Sequence, residues 1–304
     1  MKKNNQVILG TRGSKLARLQ TMLVKDALVK QFPNFQVEIR VIKTTGDTVQ
    51  DVPLSQIGDK GLFTKQLEAA LVNEEIDIAV HSLKDMPAKE GEGLTISGVL
   101  KREDPRDALV LAKKPAGVDG PKDDLLRPGM VVGTSSLRRK ALLKYIYPAI
   151  TVESIRGNVD TRLKKLDEGK YDAVVLAAAG LIRSGLSSRI SRSLDPEKFV
   201  PSGCQGIIGL ETRIGDGGSG DGGIGALVEA ITDSISLEAA RAERQFLATL
   251  EGGCKTPVGC YAVINDGKKG EEMTITGMVA ELDGSAVIQQ SRTCSREDSV
   301  KTAH

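Results

Sequence analysis

The apolar run at 7–9 is followed by Gly10, Thr11, Arg12, Gly13 and Ser14, and then Leu16, Leu19, Leu23 and Ala27 recur at helical spacing, with Ser14 available as the cap. Residues 35–42 alternate apolar and polar side chains as a strand does, 62–72 suits a helix, and 76–80 is a short apolar strand ending at His81. This order, β-α-β-α-β, predicts an α/β sheet of parallel strands flanked by helices, with binding groups gathered where strands give way to loops. The pattern restarts near residue 105: 108–111, 130–132, 151–155 and 173–176 read as strands, and 136–145 and 158–166 as helices. Gly133, Thr134, Ser135 and Ser136 stand at the same kind of strand-to-helix junction as residues 10–14, which leaves an internal repeat open. Two such lobes predict a cleft between them, walled by helix N-termini that attract carboxylates or phosphates.

Beyond residue 200 the pattern changes. Residues 215–225 are so rich in Gly and Asp that they read as a surface loop. A helical stretch over 226–250, with a break near 232–236, leads into strand-like runs at 260–264, 273–279 and 286–290, a small α+β unit. From 291 onward no pattern is readable.

At 304 residues the chain exceeds what one hydrophobic core usually serves, so two or three domains are expected, and 40% hydrophobic with 27% charged residues is a globular composition. A formal charge of +2, aromatic residues at 3% and no Trp argue against nucleic-acid binding. The apolar run at 7–9 is too short for a signal peptide and no later stretch approaches membrane-spanning length, so no membrane partner and a cytoplasmic location are expected. Cys204, Cys254, Cys260 and Cys294 form no C-x-x-C pair and the only histidines are His81 and His304, so no metal site is expected.

Candidate chemistry concentrates in three places. Cys254 lies between Gly252-Gly253 and Lys255-Thr256-Pro257: a bendable loop that could attach a bulky group to a thiol beside a cation, or simply a small buried hydrophobe. Arg138 and Arg139 follow Ser135 and Ser136 at one helix start, and Arg156 and Arg162 surround another. Cations there oppose the helix macrodipole, which makes sense if an anion binds between guanidinium and backbone N–H groups; solvated surface arginines are the alternative. Arg12 at the first-lobe junction adds to the set, and together they imply a polyanionic ligand. In the 81–87 segment Lys84 can join the anion-binding set and Asp85 can serve proton transfer or hold a developing cation, or the two can be an ordinary ion pair. A binding module for a small anion, a thiol enzyme using His81 as base, and a ligand-responsive regulator remain open at this level.

Taken together, Gly10-Thr11-Arg12 with Ser14, Gly61-Leu62-Phe63, residues 81–87, 133–139 and 156–162, Gln205-Gly206 and Gly252-Gly253-Cys254 resemble the porphobilinogen deaminase (hydroxymethylbilane synthase) family, in family order, over about residues 6–260. The resemblance weakens beyond 260, the 215–225 loop is longer and richer in Gly than usual, and Gln56 stands where some members carry Lys. It implies two α/β lobes resembling periplasmic binding proteins and a small C-terminal α+β domain: 1–101 with 200–225, 102–199, and 226–304. It implies a monomeric transferase of tetrapyrrole biosynthesis that joins four porphobilinogen molecules head to tail onto one covalent dipyrromethane cofactor per chain and releases hydroxymethylbilane by hydrolysis. Cys254 would carry the cofactor through a thioether, with Ser14, Ser82, Lys84, Asp85, Thr134, Ser135, Ser136, Arg138, Arg139 and Arg156 around it. Arg12, Arg156, Arg162, Gln205, Phe63 and Lys60 would meet substrate and Asp85 would be catalytic. By its length and its glycines the 44–60 loop reads as an active-site cover.

Overall fold

The computed structural model describes residues 5–44, 64–112, 125–216, 223–250, 256–267, 270–296 and 298–303. Strand β1 (Gln6–Arg12) lies parallel to β2 (Gln36–Ile42) on one side and to β3 (Ile78–Ser82) on the other. One face of this sheet buries Val7, Leu9, Ile78 and Val80 against Val24 and Leu28 of α1 (Lys15–Gln31). Ser14, in extended conformation, starts that helix by accepting the Ala17 N–H at 3.2 Å. The other face packs Ala79 and Ile76 against Leu67 and Leu71 of α2 (Lys65–Val72). Each fully buried leucine of this kind contributes about 2 kcal/mol of transfer free energy.

The sheet is mixed rather than parallel. Strands β4 (Leu94–Val99) and β10 (Ile208–Arg213) complete the order β2-β1-β3-β10-β4, with β10 antiparallel to both neighbours. The chain leaves for the second lobe after β4 and inserts β10 on its return. No crossover helix links β10 to β3 or β4, so nothing imposes the parallel direction.

The second lobe comprises β5 (Asp107–Leu111), β6 (Val131–Gly133), α3 (Leu137–Ile146), β7 (Thr151–Glu153), α4 (Val159–Asp167), β8 (Ala173–Ala177), α5 (Ala178–Arg183) and β9 (Arg192–Ser193). Its sheet order is β7-β6-β8-β5-β9, and β5 runs antiparallel to β8 and β9. The lobes repeat one local device. In the first, the Asp77 carboxylate accepts the Ile8 N–H at 2.9 Å; in the second, Asp172 accepts the Val131 N–H at 2.7 Å. Gly10 and Gly133 occupy matching places, and a side chain on either would run into Ile76 or Tyr171, the residue just before each aspartate.

Helix α6 (Ile224–Ile231) sends Ile224, Leu227 and Val228 into the first-lobe core, and Asp233 then caps α7 (Ser234–Thr249) by accepting the Ser236 N–H at 2.8 Å. The helix break expected near 232–236 falls there. An antiparallel meander of β11 (Val258–Gly267), β12 (Gly270–Ala280) and β13 (Val287–Ser295) packs on α7 through Ala239, Ala242, Cys260, Ala262, Met273 and Ile275. The stretch beyond 291 carries the end of β13 and a short α8 (Ser299–Thr302). No helix among the described residues is long and apolar enough to cross a membrane.

One ion pair ties the three parts together. Arg102, between β4 and β5, meets Glu243 of α7 at 2.6 Å, with 12% and 0% side-chain exposure. The same carboxylate accepts the N–H groups of Cys204 and Ala262 at 2.5 and 2.7 Å, and the Arg102 Nε–H donates to the Gln205 carbonyl at 2.9 Å. The guanidinium also lies 5.0 Å from the centre of the Tyr261 ring.

Candidate active site

The first-lobe wall is built where β1 and β3 end. Arg12, Ser14, Gln20, Thr64, His81, Ser82 and Asp85 line one pocket there. Asp85 ends a single 3-10 turn, Leu83–Asp85, anchored by the fully buried Leu83 and by the Leu83 N–H donating to the Ile207 carbonyl at 3.0 Å. The Ser82 hydroxyl donates to Gln20 at 2.9 Å, which fixes the Ser82 side chain on the pocket wall.

The second-lobe wall is the loop from β6 into α3. The Thr134 hydroxyl accepts the Ser136 N–H at 3.2 Å, and Ser136 caps α3 by accepting the Arg139 N–H at 3.4 Å. The Ser135 hydroxyl bonds to Ser154 at 2.9 Å and to the Ile155 carbonyl at 2.5 Å. Arg138 and Arg139 are buried, 4% and 6% exposed, not solvated. Both grip Asp107: Arg138 Nη2 at 2.7 Å from one oxygen, Arg139 Nη2 and Nε at 2.7 and 3.0 Å from the other. Arg138 also donates to the Val200 carbonyl at 2.6 Å and Arg139 to the Val175 carbonyl at 3.0 Å. An anion does sit between these guanidinium groups, as their placement demands, and it belongs to the chain itself.

Gln205 joins the two walls. Its Nε2 donates to Asp107 at 2.9 Å and to the Pro105 carbonyl at 2.8 Å, while its Oε1 accepts from Lys84 at 3.2 Å and Arg139 at 3.4 Å. That amide uses both donors and its acceptor inside the protein.

Electrostatics mark the same place. Burial lowers the Lys84 pKa to about 8, with Arg139 and Arg138 pushing the same way and Asp85 and Asp107 opposing. Burial, then Arg139 and Arg156, bring Arg162 down to about 10 although Asp85 works against them. Burial would raise Asp107, but the two arginines and Gln205 outweigh it and hold the carboxyl at about 2. Lys84, Arg138, Arg139, Arg156 and Arg162 therefore share one electrostatic environment, in which Asp85 and Asp107 act as counter-charges among the described residues. Within it, the buried Arg138 Nε has no hydrogen-bond partner among the described residues. A ligand bearing several carboxylates fits this excess of buried and partly buried positive charge.

Cys254, Lys60 and Phe63 lie outside the described residues, as do Gln56 and most of 44–60. Two contributors escape a sequence reading. Asp107 looks like the polar edge of an apolar strand, although an acid at the start of a fully buried run is itself a signal for a buried counter-charge. Arg183, at the end of α5, donates to the Gly206 carbonyl at 2.7 Å beside the Gln205 crossing, and burial lowers its pKa against the pull of Glu103.

The fold and this site define a two-lobed α/β protein with a third α+β domain, whose interlobe junction gathers cations beside the loop acid Asp85. Residues 7–219 match the family described as porphobilinogen deaminase, dipyromethane cofactor binding domain, and 237–303 match the porphobilinogen deaminase C-terminal domain. The chain belongs to the porphobilinogen deaminase family. It is 45% identical to the porphobilinogen deaminase of Syntrophobacter fumaroxidans over 93% of this chain and 87% of that one. It is likewise 45% identical to that of Prochlorococcus marinus strain MIT 9312, over 94% and 87%. Among solved structures, the methionine binding protein MetQ is similar with a TM-score of 0.47 and 14% identity, covering 79% of this chain and 96% of MetQ.

Proposed function

We propose that the chain is a transferase that deaminates four porphobilinogen molecules in turn, joins them head to tail onto a covalent dipyrromethane primer, and releases hydroxymethylbilane by hydrolysis. The observation that carries this reading is the excess of buried and partly buried cations around Asp85 in a chain of this family. When bound, the dipyrromethane supplies the free pyrrole position onto which the first unit is added. Every pyrrole added brings an acetate and a propionate, and the chain's own cations offset those charges.

In this reading Cys254 carries the primer through a thioether. Ser14, Ser82, Lys84, Thr134, Ser135, Ser136, Arg138, Arg139 and Arg156 surround it, and Arg12, Arg156, Arg162, Gln205, Phe63 and Lys60 meet substrate. Lys84 and Arg162 are the cations best suited to direct contact, because burial makes their charge costly until a carboxylate arrives. Arg138 and Arg139, committed to Asp107, act more as a fixed positive wall than as free clamps. Asp85 accepts pyrrole N–H groups, stabilises the positive charge of the condensation step and assists proton transfer. The division into 1–101 with 200–225, 102–199 and 226–304 belongs to the same reading and is supported by three separate sheets, except that α6 packs Leu227 and Val228 into the first-lobe core and so goes with the first lobe. So do the cytoplasmic location and the monomeric state.

The test pairs the denatured intact mass of the wild-type chain with that of Cys254→Ser. The expected result is an added mass of two linked pyrrole units in the first and none in the second. In the same assay series Asp85→Ala is expected to fold and load the primer but lose porphobilinogen turnover by about a thousandfold. Unmodified wild-type mass after incubation with porphobilinogen, or near-normal turnover by a folded Asp85→Ala chain, overturns the corresponding part.

A further inference from the structure

His81 and Glu211 meet across the antiparallel pair β3 and β10. The imidazole Nε2 lies 2.9 Å from Glu211 Oε2, and the two side chains are 4% and 0% exposed. The other carboxyl oxygen, Oε1, is buried without a hydrogen-bond partner among the described residues. His81 also lines the pocket that contains Asp85, Arg12 and Ser82. An ionisable pair is an expensive cross-strand tie, since apolar residues of similar size would hold the same strands without desolvating a carboxylate. A bare carboxylate in that position is costly, and a proton held between Nε2 and Oε2 relieves it.

We propose that the His81–Glu211 pair holds a proton at the back of the Asp85 pocket and exchanges it with the reacting atoms in each addition, an inference that rests on the function proposed above. In one cycle the aminomethyl C–N bond breaks and its electron pair stays on nitrogen. A C–C bond forms from the acceptor ring, and the C–H bond at that ring position breaks, leaving its electrons in the ring. The pair lends one proton to the departing nitrogen, which leaves as ammonia, and recovers one from that C–H bond, so it ends as it began. Asp85 stabilises the positive charge between those two moments. Among the described residues, Glu211 from β10 pairs with His81, and the pocket that His81 lines also carries the charged Arg12 from β1 and Asp85 from the turn after β3, with the neutral Thr64 from the cap of α2.

The chain has only two histidines, so nitrogen-15 histidine labelling in a His304→Gln background reports His81 alone. The expected result is that the His81 titration in the primer-loaded protein coincides with one limb of the kcat pH profile, and that Glu211→Gln moves both together by about one pH unit or more. The same variant is expected to keep the primer by intact mass, to lose about a hundredfold in kcat, and to change KM by less than about threefold. Glu211→Asp, which keeps the acid but shortens its reach, gives the same comparison if Glu211→Gln does not fold. A His81 titration unrelated to either kinetic limb, or a variant whose pH profile is unmoved, overturns the proposal and leaves a structural tie. A wild-type chain that leaves porphobilinogen unconsumed strikes the functional reading itself, whereas an active wild type with an unmoved variant strikes only the pair.

Discussion

Lys84 is the residue whose environment speaks most directly to ligand charge. Its pKa falls from 10.5 to about 8, chiefly through burial. Below about pH 8 both folded and unfolded chains hold the proton, and the folded state bears the full cost of burying the charge. Between about 8 and 10.5 the unfolded chain keeps a proton that the folded chain has released, so stability rises with pH across that window. The gain is about 3 kcal/mol at most. In the Cys254→Ser background, which lacks the primer in the proposed function, the urea midpoint is expected to rise from pH 8 to 10. Adding Lys84→Met should flatten that rise, and parallel profiles for the two proteins would show that Lys84 is not the group responsible. Two of the described cysteines behave differently. Burial pushes the thiols of Cys204 and Cys260 up, with Glu243 adding to it, so both stay protonated and unreactive while they fill core space.

At the scale of elements, the two lobes use one set of parts. A serine caps the first helix of each, an aspartate before a central strand holds the N–H of the strand beside it, and a glycine lets the preceding side chain close over the sheet. Ser136→Ala is expected to cost about 1 kcal/mol in urea unfolding, the usual value of an N-cap. Asp172→Ala should cost about 1–3 kcal/mol, since the Val131 N–H loses its side-chain acceptor. Equal stability in both variants would mean that water replaces these groups without loss. The elements that carry these parts were also the ones most legible in sequence: β1, α1, β3, α3 and β8 each have an uninterrupted apolar run or a capped helical period. The stretches that were missed were obscured for identifiable reasons. In β10, Glu211 and Thr212 are polar yet fully buried, so the strand does not read as apolar. Strand β13 was legible over 286–290 but not in its exposed second half, which shows no alternation, and α5 follows β8 with no turn residue between them. Strand direction was not legible either, because β10 pairs with strands more than a hundred residues away. At the site, the cationic residues and Asp85 were readable, whereas the Asp107 and Glu211 partners depend on that long-range return of the chain.

For the whole molecule, the question is how a third domain with its own sheet is coupled to a site between two other lobes. The coupling passes through few atoms. Arg102 of the first crossing pairs with Glu243 of α7, Glu243 holds the Cys204 N–H of the return crossing, and Arg102 holds the carbonyl of Gln205. The side chain of Gln205 then contacts Lys84, Asp107 and Arg139. Burial works against the Arg102 charge and Glu243 outweighs it, so each group depends on the other to be tolerated there. Glu243→Gln keeps the shape but leaves a buried guanidinium without its counter-charge, which is expected to cost about 3–5 kcal/mol. Because the lost contacts lie at the junction rather than inside any one sheet, the loss should appear first as uncoupling. Hydrogen exchange is expected to accelerate in α7 and β11 before it does in β1 and β3, and the Lys84 pKa should move as Gln205 loses its anchor. Exchange that accelerates uniformly in all three sheets would instead make Glu243 an ordinary contributor to global stability, and the route from the third domain to Lys84 would have to be sought elsewhere.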